Sequence, residues 1–281
     1  ENKLQAFQTG IDALAKLTTG KVHLSVRGKG KSIFKDVKGV SLHQVYGPHP
    51  AGNVGVQIGK ISPINAGERV WTVTPQDVAT IGELFLTGKF NATRTVALVG
   101  SEVKDAQYYN VISGAAITDL VAGKIEGDNV RVISGDVLTG TKVKMDGNLG
   151  FLSNTVTVIP EGNVYRMFGW MPFASPSVHS ASRTGLSWLM PGKKYAPNTN
   201  LNGEERALVV TGEMETVMPL DIFPMQLLKA CLASDIDKME SLGIYEVAPE
   251  DFALIDYTNT SKLEAQQIIR EALDLMIKEV G

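Results

Sequence analysis

Thr74-Pro75-Gln76-Asp77-Val78, continuing through Ile81, Leu84 and Phe85 to Gly88 and then into Thr95-Val96-Ala97-Leu98-Val99, is the stretch that decides the fold class. Thr74 stands where an N-cap belongs, Pro75 at the first helical position, and Asp77 where free backbone N–H groups gather at a helix start. Val78, Ile81, Leu84 and Phe85 repeat at helical spacing and predict one buried stripe. Gly88 ends the helix. The apolar run that follows is short enough for a buried strand. Upstream, Leu4, Phe7, Ile11, Leu14 and Leu17 predict an amphipathic helix over 1–19, closed by Gly20 as a left-handed cap. Val22–Val26 and Val40–Val45 alternate as half-buried strands do. Strands and helices in this order predict a parallel α/β layer.

Beyond residue 130 the texture changes. Val130-Arg131-Val132-Ile133, Thr155-Val156-Thr157-Val158-Ile159 and Tyr165-Arg166-Met167-Phe168 are short strand signals between Gly, Asn and Asp turns, and they predict a small β-rich domain. Pro172–Asn202 reads as a long irregular connection. The tail is helical: Met225–Leu242 carries a stripe that includes Cys231, with Gly243 as its cap. Ser261-Lys262-Leu263-Glu264 has the form of a capping box before a second stripe, Ala265, Ile268, Ile269, Ala272, Leu273 and Met276.

Composition narrows the function. With 281 residues, more than one core is expected. A composition of 43% hydrophobic and 20% charged residues excludes disorder as the main state. The net charge of −3 supplies no positive field for nucleic acid or an anionic membrane. One cysteine excludes an internal disulfide framework, a four-thiolate cluster and a cysteine-rich zinc site, and points to a reducing compartment. No apolar run is long enough to span a bilayer. The chain opens on Glu1 in a helical pattern, which reads as a processed form or a fragment.

Gly28-Lys29-Gly30-Lys31-Ser32 imitates a P-loop, but the glycine required five residues earlier is replaced by Ser25, so a basic loop is expected rather than a phosphate cradle. Gly47-Pro48-His49-Pro50-Ala51-Gly52-Asn53-Val54-Gly55 is the most distinctive segment: prolines fix and glycines release the backbone, as in a loop built for close approach. His23, His43, His49 and His179 are isolated in sequence, so neither a zinc site nor a triad is expected. Glu204-Glu205 and Glu250-Asp251 read as solvated acidic pairs, and Cys231 as a buried structural thiol.

Several stretches taken together, in order, resemble the NqrA subunit of the sodium-translocating NADH:quinone oxidoreductase (Na+-NQR) over nearly the whole chain. They are Leu14–Leu24, Gly47–Gly52, Gln76–Gly82, Val132–Gly140, Phe168-Gly169-Trp170 and Val217–Ile222. The resemblance implies an α/β fold in three parts: a Rossmann-like domain over 1–125, incomplete at its N-terminus; a β-grasp domain of the soluble-ligand-binding type over 126–213; and a helical module over 214–281. It also implies a C-terminal fragment, without the family's N-terminal domain. Where many members follow the proline loop with Thr-His-Ile, this chain has Val56-Gln57-Ile58; where many carry two cysteines near the last helix, it has Ile255 and Asn259.

The implied role is a peripheral subunit on the cytoplasmic face of the bacterial inner membrane. It belongs to a complex that passes electrons from NADH to ubiquinone and exports sodium. The chain itself is expected to be non-catalytic and to bind no cofactor or metal, the flavins and iron–sulfur centre residing on other subunits. Its partners would be those subunits, above all the membrane-embedded quinone-side one, and ubiquinone. A quinone is mostly apolar with two carbonyl acceptors, so candidate quinone or partner contacts are His49 as donor with Pro50 and Val54, and separately Trp170, Met171 and Phe173. The alternative is a free-standing nucleotide- or small-ligand-binding α/β protein.

Overall fold

The computed structural model describes residues 2–164, 168, 171 and 178–280. The chain forms two compact units, Glu1–Arg94 and Thr95–Gly281.

The first unit holds α1 (Asn2–Leu14), β1 (His23–Arg27), β2 (Ser41–Val45), α2 (Val54–Ile61) and α3 (Pro75–Thr87), with a short 3-10 helix at Ile33–Asp36. β1 and β2 pair in parallel, His23 opposite Ser41 and Arg27 opposite Val45. The start of α3 is as expected. The Thr74 hydroxyl accepts from the Asp77 N–H, Pro75 opens the helix, and Gly88 caps it at φ 70°. Asp77 also pairs with the buried Arg94 at 3.0 Å, which fixes that first turn a second time.

Two details of this unit differ from expectation. α1 ends at Leu14, and the next residues form a turn in which Leu17 is 83% exposed. Gly20 is not among the glycines at positive φ, so it is no left-handed cap. In α3, Leu84 and Phe85 are exposed, and the helix is buried instead through Val78 and Gly82. The cause is backbone contact with α1: a Cβ on Gly82 would lie 1.7 Å from the Ala6 carbonyl oxygen, and one on Gly10 would lie 2.1 Å from that of Val78. Two missing side chains let the helices touch at these points, and Phe7, Ile11 and Val78 close the core beside them.

The second unit contains all but the first two residues of β3 (Thr93–Val99), with β4 (Gln107–Ile112), α4 (Ile117–Val121), β5 (Val130–Ser134), β6 (Thr141–Val143) and β7 (Thr155–Pro160). The sheet order is β4-β3-β7-β5-β6, parallel between β3 and β7 and antiparallel where β5 meets β7 and β6. Val96, Leu98, Val156 and Val158 face Ile117 and Leu120 of α4 in its core. This is the mixed sheet with one covering helix expected of a β-grasp domain. The expected division at 125 falls inside this unit rather than at its edge. The apolar run of β3, read as the second strand of the first layer, is hydrogen-bonded beside β7.

α5 (Pro224–Leu232), α6 (Ile236–Ser241), α7 (Ala253–Thr258) and α8 (Ala265–Glu279) make the helical module around Leu227, Leu228, Met239, Phe252 and Ile269. The single helix expected over Met225–Leu242 is divided. Ser234 takes φ 52°, and Asp235 then caps α6 by accepting from the Lys238 N–H. Gly243 does lie in the left-handed region, at φ 88°. The expected capping box is not formed: α8 begins at Ala265, where the Asp256 carboxylate accepts from the Ala265 and Gln266 N–H groups. Ser261 donates instead to the Ala207 carbonyl. Asp251, read as solvated, is 3% exposed and accepts from the Ala248 N–H at 2.9 Å. Cys231 is buried on α5, and burial pushes its thiol up to about 11.

The helix contact in the first unit gives a stability test. Gly82→Ala must separate α1 from α3 and is expected to cost about 2–3 kcal/mol, as overpacking does. Gly52→Ala, where an added Cβ meets nothing within 4 Å, is expected to stay within about 0.5 kcal/mol of the parent. Urea midpoints of the two variants measure the difference.

Candidate functional site

In the first unit the candidate loop leaves the carboxyl end of β2. Gly47 turns at φ 126°, His49–Pro50 is a cis peptide, and Asn53 leads into α2. The Ala51 N–H donates to the Pro48 carbonyl at 2.9 Å and the Asn53 N–H to that of Pro50 at 2.8 Å. Gln57, on the first turn of α2, reaches back to donate to the Ala51 and Gly52 carbonyls at 3.3 and 3.1 Å. The loop's own polar backbone is thereby engaged, while the His49 side chain and Val54 are left at the surface and Pro50 is half-buried. Three of the expected contact residues are thus on one short segment.

A second loop joins this one because the two strands are parallel. Gly28–Ser32 leaves the carboxyl end of β1, and the Gly28 N–H donates to the Val45 carbonyl at 2.8 Å. The Tyr46 ring lies over Gly28, so close that a Cβ there would meet it at 2.1 Å. Crevices outside the carboxyl ends of parallel strands are the usual ligand positions of open α/β sheets. The P-loop-like segment is not arranged as a phosphate cradle. Lys35 Nζ donates to the Gly30 carbonyl at 3.1 Å, and Ser32 caps the 3-10 helix that follows. What remains at this end of the sheet is an imidazole, a valine, a proline edge and the exposed Lys29 and Lys31.

In the second unit a cleft of about 1420 Å³ is lined by Ile133, Leu138, Met171, His179, Tyr195 and Tyr257, among others. His179 and Tyr257 lie 3.2 Å apart, Nδ1 to hydroxyl, and the edge of Tyr195 meets the His179 ring. The Tyr195 hydroxyl is out of solvent and has no hydrogen-bond partner among the described residues. A buried unpartnered hydroxyl is costly, and a ligand or water in the cleft would relieve it. One rim is held by Glu161, which accepts from Arg131, from Lys142 at 2.9 Å and from the Thr199 hydroxyl at 3.0 Å. The Arg131 guanidinium, then Lys142, hold its carboxyl down at about 2. Asp256 is displaced upward by burial, although it caps α8. Met171 lines this cleft; Trp170, Phe173 and the strand signal at Tyr165–Met167 lie outside the described residues.

Sequence reasoning missed two juxtapositions. His23 and His43, read as isolated, have ring nitrogens 2.9 Å apart across β1 and β2. His179 meets Tyr257 from 78 residues away. The first was recoverable, since two neighbouring strands each carry a histidine; the second has no local signal. Among the described residues no three metal-ligating side chains come together, and no helix is long and apolar enough to cross a membrane.

A sequence model described as the NqrA second alpha/beta domain matches residues 1–90, and one described as the NQRA C-terminal domain matches 95–145. The NqrA protein of Neisseria meningitidis serogroup B, the A component of its Na(+)-translocating NADH-quinone reductase, is 36% identical over 274 residues, which are 97% of this chain and 61% of the relative. Its counterpart of the same name from Serratia proteamaculans is 39% identical over 279 residues, 99% of this chain and 62% of its own length. That from Klebsiella pneumoniae is 38% identical over 275 residues, 98% and 61% of the two chains. The chain therefore spans about three fifths of the length of these relatives.

The Glu161 cluster yields a pH prediction. Its folded carboxyl lies below the ordinary 4.5, so its stabilisation is complete above that value and is lost as the pH falls towards about 2. Glu161→Gln is expected to cost about 1–2 kcal/mol at pH 7 and to flatten the acid limb of stability, read from urea midpoints between pH 7 and 2.5.

Proposed function

We propose a function from one premise: this chain belongs to the NqrA family, whose second α/β and C-terminal domain models it matches in order. Relatives that align with almost all of it are named as the A component of Na(+)-translocating NADH-quinone reductase. In this reading the chain is part of such a component, and its work is done within a complex that reduces quinone with NADH and moves sodium. It sits peripherally on the cytoplasmic face of the membrane, binds no flavin or iron–sulfur centre of its own, and docks on a membrane-embedded, quinone-side subunit.

The observation that carries the contact assignment is the loop at the carboxyl end of β2. Its backbone polar groups are largely satisfied internally, so what it offers a partner is the His49 imidazole beside Pro50 and the exposed Val54. One donor among apolar groups suits either a quinone carbonyl or an apolar loop of a partner subunit, and the reading favours the partner. Trp170, Met171 and Phe173 form the second proposed contact, with Met171 at the cleft of the second unit. The alternative, a free-standing nucleotide binder, draws only on the crevice at the ends of β1 and β2. The bond from Lys35 to the Gly30 carbonyl weighs against it, because it ties that ammonium to the loop's own backbone rather than leaving it for a phosphate.

An affinity-tagged full-length version of the chain, purified from detergent-solubilised membranes, is expected to bring flavin-containing membrane subunits with it. Elution alone from the soluble fraction, with heat on titration with NADH or FMN, would sink the complex reading in favour of the alternative. Within the assembled complex, His49→Ala is expected to weaken subunit retention while leaving the KM for quinone within about two-fold; a rise of about ten-fold in KM at full retention would move the contact from partner to quinone.

A further inference from the structure

His23 and His43 stand twenty residues apart in the chain and side by side in space. The β1–β2 register pairs His23 with Ser41 and Ser25 with His43, which places both imidazoles on one face, diagonal neighbours across two parallel strands. The ladder is closed beyond each end by a backbone bond, Ser41 N–H to the Val22 carbonyl and Gly28 N–H to the Val45 carbonyl, both 2.8 Å. The ring centroids are 5.1 Å apart, the planes differ by 14°, and Nδ1 of His23 is 2.9 Å from Nε2 of His43. A centroid separation that exceeds the nitrogen separation by about a ring's width means that the rings lie end to end, nearly in one plane. With complementary tautomers a lone pair on one ring is aimed at the N–H of the other, and a single proton occupies the gap between them.

The place held by that proton is one a metal ion can take. We propose that His23 and His43 form a two-imidazole site for a late first-row transition-metal ion. Imidazole nitrogen is a favoured ligand of copper, nickel and zinc, and bonds of about 2.0–2.1 Å to each ring require the nitrogens to part to no more than about 4 Å. Side-chain rotation supplies that movement: His23 is exposed, His43 half-buried, and their register partners on this face, Ser41 and Ser25, are small. The backbone need not move, so little ordering is required on binding. Among the described residues no carboxylate or carbonyl hydrogen-bonds either ring, and no third ligating side chain is near. Water completes the coordination, the site is open and exchangeable, and Cu²⁺ binds it most tightly in the order of these ions.

The test is titration of the whole chain with Cu²⁺ at pH 7.5, followed by calorimetry and electron paramagnetic resonance. One equivalent is expected to bind with hyperfine coupling to two nitrogens. His23→Gln and His43→Gln are each expected to weaken that equivalent at least ten-fold and to leave one coupled nitrogen, whereas His49→Gln changes neither. Either variant retaining parental affinity and the two-nitrogen signal overturns the site, as does an equal loss in His49→Gln. A readout on the unmutated chain is independent of how the variants fold. Cu²⁺ below one equivalent is expected to broaden the imidazole proton signals of His23 and His43 before those of His49 and His179; equal broadening of all four overturns the proposal.

Discussion

Two strands that run in the same direction cannot be joined by a tight turn, and that constraint shapes both units of this protein. Between β1 and β2 the chain must return along the sheet, and it does so through the Gly28–Ser32 loop and the short helix at Ile33–Asp36. Between β3 and β7 it must also return, and that crossover contains β4, α4, β5 and β6. The first return brings two loops to the same end of one small sheet, where the Tyr46 ring closes on Gly28. The second lets α4 lie over Val96, Leu98, Val156 and Val158, so that the residues threaded through the crossover become the core.

What was legible in the sequence was local. The start of α3 could be read because Thr74, Pro75 and Asp77 act on backbone groups within one turn of themselves, and Gly88 needs only its own φ. The same logic failed at Ser261-x-x-Glu264, because Asp256, nine residues before Ala265, supplies the cap that the pattern assigns to Ser261. The break at Ser234 was missed because the apolar stripe continues across it, although Asp235 caps α6 from within one turn. Gly82 is silent in any periodicity count. Its meaning comes from the Ala6 carbonyl on another helix, and such contacts have no sequence signature.

The membership of β3 shows the same limit at the scale of a domain. An apolar run such as Val96–Val99 announces a strand with buried faces, yet says nothing of which sheet receives it. The texture change near Val130 marked where turns become frequent rather than where one unit ends. The candidate contacts behaved in parallel fashion. His49, Pro50 and Val54 could be grouped because one loop carries them, whereas the pairing of His179 with Tyr257 depends on how the long connection returns to the helical module. The family resemblance was readable because it rests on the order of many short segments and on none of them alone.

Cys231 has a practical consequence for the study of this chain on its own. It is only 8% exposed on α5, and the cost of burying a thiolate keeps it protonated at neutral pH. It is the single cysteine of the chain, so the outer surface behaves as though it held none. A cysteine introduced at any chosen surface position would be alone in its reactivity. These 281 residues are therefore already a background for attaching one fluorophore or spin label at a time, without first removing a residue from the core.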